Sequence, residues 1–341
     1  MVKLKIINWR CIDVLELELS KINVFIGPNS SGKSSLAYAI YLASKSSRFD
    51  PLTLIQQLYG HGFDKIARFS EERPQFPVVI KLNDSELHIE LVNGEIKTVK
   101  PSSSPWKDEY LLPSKRVGFI QVLMILPKLI NEILKKSEAT PIAIFAKGIF
   151  DLITISLPLL PPLGLFATDY LRATTGISVE SLEGEFKGAG SYILKISMLM
   201  PLTELMFQDT HTKLNLPVEL APDGLVDFAV FDSLTKKIPK DSLVVIEEPE
   251  IHKNPLKIVE FTEHIVGKIL ERNLTLVMTT QSDIPLLTIG KLISKEVLNV
   301  ENVKIYYFTR EPWTRIREIK VYSDGTFETL PDSEELITRL F

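Results

Sequence analysis

The strongest constraint on this chain is the run Gly27-Pro28-Asn29-Ser30-Ser31-Gly32-Lys33-Ser34, which follows an apolar segment at 21–26 and opens a helix-prone one at 32–45. A strand that enters a glycine-bounded turn and then a helix aims successive backbone N–H groups, and the positive end of the helix dipole, at one point. That arrangement suits the phosphates of a nucleotide. Gly27, Asn29, Ser30, Ser31 and Gly32 would form the curled backbone. Lys33 would bridge the β- and γ-phosphate oxygens, and Ser34 would ligand Mg2+.

Phosphoryl chemistry at such a turn needs a carboxylate at the end of a neighbouring buried strand, where it holds the metal's water shell. Leu243-Val244-Val245-Ile246-Glu247-Glu248-Pro249-Glu250 provides one. Its apolar residues run straight into two acids that would be costly to bury without a cation. Glu247 is the metal-side group. Adjacent strand residues face opposite ways, so Glu248 points elsewhere and is placed to orient and deprotonate an attacking water.

The surrounding pattern is α/β. Residues 2–8 and 14–19 read as strands, and 77–99 holds three β-prone stretches, the last two joined by Asn93-Gly94, a type I′ hairpin signal. Residues 117–176 look mainly helical, apolar and proline-broken, and 191–198 is a further strand. After 242, apolar strands at 242–246, 274–279, 303–308 and 316–322 are interleaved with helices at 255–272 and 284–294. This pattern predicts a mostly parallel sheet covered on both faces. Three parts are expected: an N-terminal lobe at 1–100 with the phosphate loop and an antiparallel β subdomain, an inserted mainly helical lobe at 101–215, and a C-terminal lobe at 216–341 with the acidic strand.

Together, I-G-P-N-S-S-G-K-S-S and V-V-I-E-E-P-E-I-H-K-N-P resemble the ABC-type ATPase heads related to SMC and RecF proteins, and more narrowly the AAA-like ATPases of the overcoming-lysogenization-defect group. The opening L-K-I-I-N-W-R-C-I-D-V-L-E-L-E-L-S-K-I-N-V is similar to that family's N-terminal hairpin. Leu112-Pro113-Ser114-Lys115-Arg116 is similar to its proline–arginine element. The resemblance covers 1–45, 110–118 and 220–325. It implies a P-loop NTPase sandwich that hydrolyses ATP with Mg2+, with Ser35 in the phosphate motif and Arg10 beside the nucleotide. It further implies a homodimer that closes on ATP in a DNA-linked process, repair or anti-phage defence, with DNA or a separate effector chain as partner.

The family's pattern is altered at two places. Gln281 stands where the family has a histidine that senses the γ-phosphate; its amide donates a hydrogen bond but carries no charge. The signature turn is matched best by Pro222-Asp223-Gly224, without its serine, and an aspartate there would repel a γ-phosphate. Asp223 also reads as an ordinary N-cap. Gln121 is a candidate for the lid glutamine near Mg2+.

Composition removes other classes. With 39 Lys+Arg against 43 Asp+Glu the chain is no globally basic nucleic-acid coat, so any DNA contact falls to a local patch. Its single cysteine, Cys11, excludes a disulfide scaffold and a cysteine zinc cluster. A mean hydropathy of +0.12 raises the question of a membrane. The most apolar region, 141–168, is interrupted by Lys147 and Asp151 and broken by Pro158, Pro161 and Pro162. A spanning helix needs roughly 20 apolar residues, so this block reads as a buried or partner-facing helical subdomain and the cytoplasm is the expected location. The lack of heptads excludes long coiled-coil arms, and no attached nuclease domain is expected after Glu248. Two other functions stay open: a slow nucleotide-dependent switch or scaffold, and the ATPase subunit of a membrane complex.

Overall fold

The computed structural model describes residues 1–331 except 64–65, 71, 122–160, 175–179, 187–189, 197–202 and 210. Most of the apolar block at 141–168 lies outside the described residues. The chain divides into two compact units, Met1–Leu112 with Pro239–Phe341, and Pro113–Ile238.

The first unit opens with β1 (Val2–Trp9) and β2 (Ile12–Leu19), paired antiparallel from Val2↔Leu19 to Trp9↔Ile12. Strand β3 (Ile22–Ile26) leads into the glycine-bounded turn, followed by α1 (Lys33–Lys45) and α2 (Pro51–Tyr59). A short ribbon, β4 (Phe69–Ser70) and β5 (Arg73–Pro74), precedes β6 (Val78–Leu82), β7 (Ser85–Val92), β8 (Glu95–Val99) and β9 (Glu109–Leu112). The antiparallel sheet has the order β2-β1-β6-β7-β8. At its tight hairpin Asn93 and Gly94 both take positive φ, 54° and 83°, and Val92 pairs with Glu95. This is the handedness a type I′ turn needs to match strand twist.

The second unit contains α3 (Leu163–Thr174), then β10 (Glu180–Phe186), β11 (Gly190–Ile196), β12 (Thr203–Asp209) and β13 (Asn215–Pro217) in an antiparallel meander, and α4 (Asp223–Lys237). Helix α4 packs on β10, β11 and α3. Phe186 stacks on Phe228 at 4.5 Å with an interplanar angle of 5°, and the Tyr192 hydroxyl donates to Asp232 Oδ2 at 2.7 Å. The described part of this unit is therefore built on a sheet as well as on helices. The sequence signalled only β11, because ESLEGEF and TELMFQD carry too many charges to read as strands.

The chain then returns to the first unit with β14 (Leu243–Glu247), α5 (Pro255–Glu271), β15 (Thr275–Thr280), α6 (Asp283–Ser294), β16 (Val303–Arg310) and β17 (Thr314–Ile319). The core sheet runs β17-β16-β3-β15-β14-β9 and is parallel throughout except for the β16–β17 pair. Asn254 caps α5 by accepting from Lys257 N at 3.0 Å, with Pro255 at the first helical position, where its missing N–H costs nothing.

Helix α1 contacts β1 and β6 of the antiparallel sheet and β9, β14 and β15 of the core sheet. Its residues from Leu36 through Lys45 are all buried, as required of a helix that is apolar on nearly every face. Edge strand β9 is tied to the end of this helix by Glu109, whose buried carboxylate accepts hydrogen bonds from Ser44 and Arg48. Burial pushes the pKa of Glu109 up, against the Ser44 hydrogen bond and the Arg48 charge. Among the described residues no helix is long and apolar enough to cross a membrane.

The proline–arginine element at 112–116 has a structural partner within the second unit. Arg116 is buried, and its Nε and Nη2 donate to the two carboxylate oxygens of Asp227 at 2.6 and 2.8 Å, while Nη1 donates to the Pro113 carbonyl at 3.0 Å. Removing one member strands a buried charge, which costs far more than the intact pair contributes. Arg116→Ala should destabilise the protein by about 3–5 kcal/mol in denaturant melts. Arg116→Met combined with Asp227→Leu should recover most of that loss.

Candidate functional site

Strands β3, β14, β15 and β16 are parallel, and register aligns their carboxyl ends: Ile26 pairs with Thr280 and Tyr307, and Glu247 with Thr279. The segments that follow them emerge on one edge of the sheet, where open α/β sheets bind ligands. There a cleft of about 480 Å³ is lined by Asn29 through Ser35, together with Arg10 and Glu248. Of the site residues expected within the first unit, Gly27, Glu247 and Gln281 do not line it.

The loop is held in a form that only glycine permits at two places. Gly27 and Gly32 have φ of 143° and 109°, and a Cβ on them would strike the Phe308 carbonyl and the Thr314 side chain. Lys33 is folded back over the loop, donating to the carbonyls of Gly27 at 2.7 Å and Pro28 at 2.8 Å. From β17, Thr314 Oγ1 donates to the Ser31 carbonyl at 2.8 Å and its backbone N–H to the Cys11 carbonyl at 2.8 Å, pinning the loop to the first hairpin. Trp9 Nε1 donates to the Ser35 carbonyl at 2.9 Å. The Ser31 and Thr279 hydroxyls are buried without a hydrogen-bond partner, and both residues line the cleft. Two orphaned hydroxyls around a lysine and a row of loop N–H groups fit an anionic ligand that would satisfy them.

Glu247 is buried at the end of β14, and its Oε2 accepts from the Tyr38 hydroxyl at 2.6 Å. Burial, and then the Glu247 charge, holds the Tyr38 phenol well above its ordinary pKa, so it stays a donor. The Ser34 hydroxyl and the Glu247 carboxylate are hard oxygen donors, and one or two carboxylates plus substrate phosphates is how Mg2+ is usually held. Among the described residues there is no cluster of three or more His, Cys, Asp or Glu that could hold a metal ion.

Glu248 follows β14, whose last residue is Glu247; its left-handed backbone, φ 46°, carries it out of the strand and into the cleft wall. Its backbone N–H donates to the Thr279 carbonyl at 2.8 Å. Gln281 donates its side-chain amide to Glu248 Oε1, and its backbone N–H to Glu250 Oε1 at 2.8 Å. In this structure Gln281 therefore orients the candidate base and does not line the cleft.

The side walls include residues the motifs did not reveal. Phe69, Trp313 and Arg310 line the cleft, and Arg310 Nη1 donates to the Ser30 carbonyl at 3.4 Å. Arg68 lies over the Trp313 ring, 4.7 Å from its centroid, and is fixed by Asp13 at 3.1 Å. Arg10 lies over the Tyr59 ring at 4.6 Å. The only sequence signal for these walls was Arg10 itself. Phe69 lies in the two-residue strand β4 and Trp313 in the bend between β16 and β17, and neither segment has a pattern that marks it in the sequence.

Two candidates from the second unit bond to each other: Gln121 Nε2 donates to Asp223 Oδ1 at 2.9 Å. Asp223 is not the N-cap of α4. Pro222 takes that position and makes no side-chain cap, so the carboxylate serves the first turn and Gln121 instead. Gly224 follows it within the helix.

Comparison with known proteins agrees with this geometry. Residues 1–144 match the model of an AAA ATPase domain. No curated protein sequence matches the chain. Among solved structures, an SMC head bound to the C-winged helix domain of ScpA is similar with a TM-score of 0.53 and 13% identity, covering 98% of this chain and 98% of that one. An SMC head domain with an extended coiled coil from Pyrococcus furiosus, bound to the C-terminal domain of ScpA, has a TM-score of 0.51 and 13% identity over 100% of each chain. The chain has the SMC-head-like P-loop fold, a mostly parallel sheet joined to an antiparallel N-terminal sheet, and the match to the AAA ATPase domain model spans its first 144 residues.

Proposed function

We propose that the chain binds ATP with Mg2+ in this cleft and hydrolyses it, and that the ATP-bound form is a homodimer acting in a DNA-linked process. The observation that carries the reading is the meeting of two motifs, more than two hundred residues apart in sequence, on one cleft: the phosphate loop with Lys33 folded over it, and Glu248. Lys33 would exchange its carbonyl partners for β- and γ-phosphate oxygens. Gly27, Asn29, Ser30, Ser31, Gly32 and Ser35 shape the cradle, and Arg10 flanks the nucleotide. Mg2+, held by Ser34 and Glu247, would neutralise charge developing on the phosphates.

Glu248 then acts as general base. Gln281 occupies its Oε1, leaving the other oxygen to take a proton from water as the water oxygen attacks the γ-phosphorus. The bond from that phosphorus to the β–γ bridging oxygen breaks, giving ADP and inorganic phosphate. The proton passes on to the products.

Dimer closure and the DNA link rest on the resemblance to SMC- and RecF-related heads. A net charge of −4 confines DNA contact to a local surface. A separate effector chain is the other partner class, since heads of this fold are seen bound to domains of ScpA. One observation favours a second reading, a slow nucleotide-dependent switch: the amide of Gln281 already engages the base and, unlike histidine, brings no charge to a γ-phosphate.

Lys33→Ala should weaken nucleotide binding by about 10- to 100-fold in calorimetric titration, the worth of a charged hydrogen bond. Glu248→Gln should retain ATP while single-turnover hydrolysis falls by about 10²- to 10⁴-fold. The solution mass of that variant should double on adding ATP; a monomer in both conditions would remove the dimer. Tight binding without turnover in the parent chain, with and without DNA, would replace hydrolysis by the switch reading.

A further inference from the structure

Tyr38 belongs to neither sequence motif, yet its hydroxyl makes a 2.6 Å hydrogen bond to Glu247 Oε2. It lies on α1 four residues after Ser34, and residues so spaced share a helix face one turn apart. The helix that begins with the phosphate-loop lysine and serine therefore also carries the donor that grips the carboxylate on β14. Glu247 is only 6% exposed, so bulk water does not compete for that oxygen.

The tyrosine is itself held. Its ring packs against Tyr59 at a centroid distance of 5.8 Å, and Tyr59 meets Trp9 edge-on at 6.0 Å and lies under Arg10 at 4.6 Å. This aromatic cluster fills the space between α1, the end of α2 and the first hairpin. It fixes the ring of Tyr38 through packing alone and leaves the hydroxyl for Glu247.

We infer that Tyr38 is a positioning residue for the metal-side carboxylate: by occupying one oxygen of Glu247 it presents the carboxylate to the cation in a single orientation, and so sets the Mg2+ affinity of the nucleotide complex. This inference rests on the ATP–Mg2+ reading above. Outer partners of metal-binding groups act in this way, fixing the ligand before the cation arrives, and their loss commonly costs about 10- to 100-fold in metal affinity.

Tyr38→Phe removes the hydroxyl and keeps the ring on Tyr59. The full chain and the variant are titrated with a fluorescent ATP analogue, first in EDTA and then at rising Mg2+, with thermal melts alongside. The expected result is equal affinity in EDTA, an Mg2+ midpoint raised about tenfold or more in the variant, and a melt that shows the fold intact. An Mg2+ midpoint that does not move would overturn the inference. Adding Tyr38→Phe to Glu247→Gln should raise the midpoint no further, because the hydroxyl acts through that carboxylate. A full additional loss in the double variant would overturn it as well. A parent chain that binds no nucleotide under either condition would sink the ATP reading itself, a result distinct from Mg2+-dependent binding that Tyr38→Phe leaves intact.

Discussion

The first unit depends on one burial problem and its solution. Helix α1 is apolar on nearly every face and needs cover on two sides. The chain supplies an antiparallel sheet on one side and a parallel sheet on the other. Once the helix is fixed between them, its first turn must lie at the carboxyl ends of β3, β14, β15 and β16. Phosphate loop, acidic pair and cleft walls all inherit their positions from that packing.

The two halves of the site were legible to different degrees. The loop could be read because its function is a property of local backbone: glycines at φ of 143° and 109° and a lysine that folds over the turn. The acid pair could be read because an apolar run ends in two carboxylates. What separates them is the left-handed backbone of Glu248 just past β14 rather than strand alternation, with Glu247 bonded to Tyr38 and Glu248 in the cleft wall. Thr314, Arg310 and Trp313 gave no such signal. They come from a hairpin some 280 residues after the loop, and only sheet order brings β16 and β17 beside β3. Gln281 illustrates the same division, since its place in the chain suggested a phosphate sensor while its nearest partner in the fold is Glu248.

The second unit follows a similar logic. Strands β10 and β12 bury Phe186, Leu205 and Phe207 on one face, but Gly184 interrupts the apolar register of β10 and Met206 the polar register of β12, so neither shows a clean period in the sequence. Arg116 shows why a motif resemblance needs a fold to interpret it. Its guanidinium is paired within this unit to Asp227, so its role there is to tie the start of the unit to α4.

By itself the sequence determined the phosphate loop, the acidic strand end and the α/β class, because each is encoded within about ten neighbouring residues by backbone conformation or by period. Tertiary structure alone decided which side chains wall the cleft, that Tyr38 holds the Glu247 carboxylate, and that Gln281 turns to Glu248. Those are contacts between residues dozens to hundreds of positions apart. Their geometry is set by sheet order and helix packing, which no local pattern specifies.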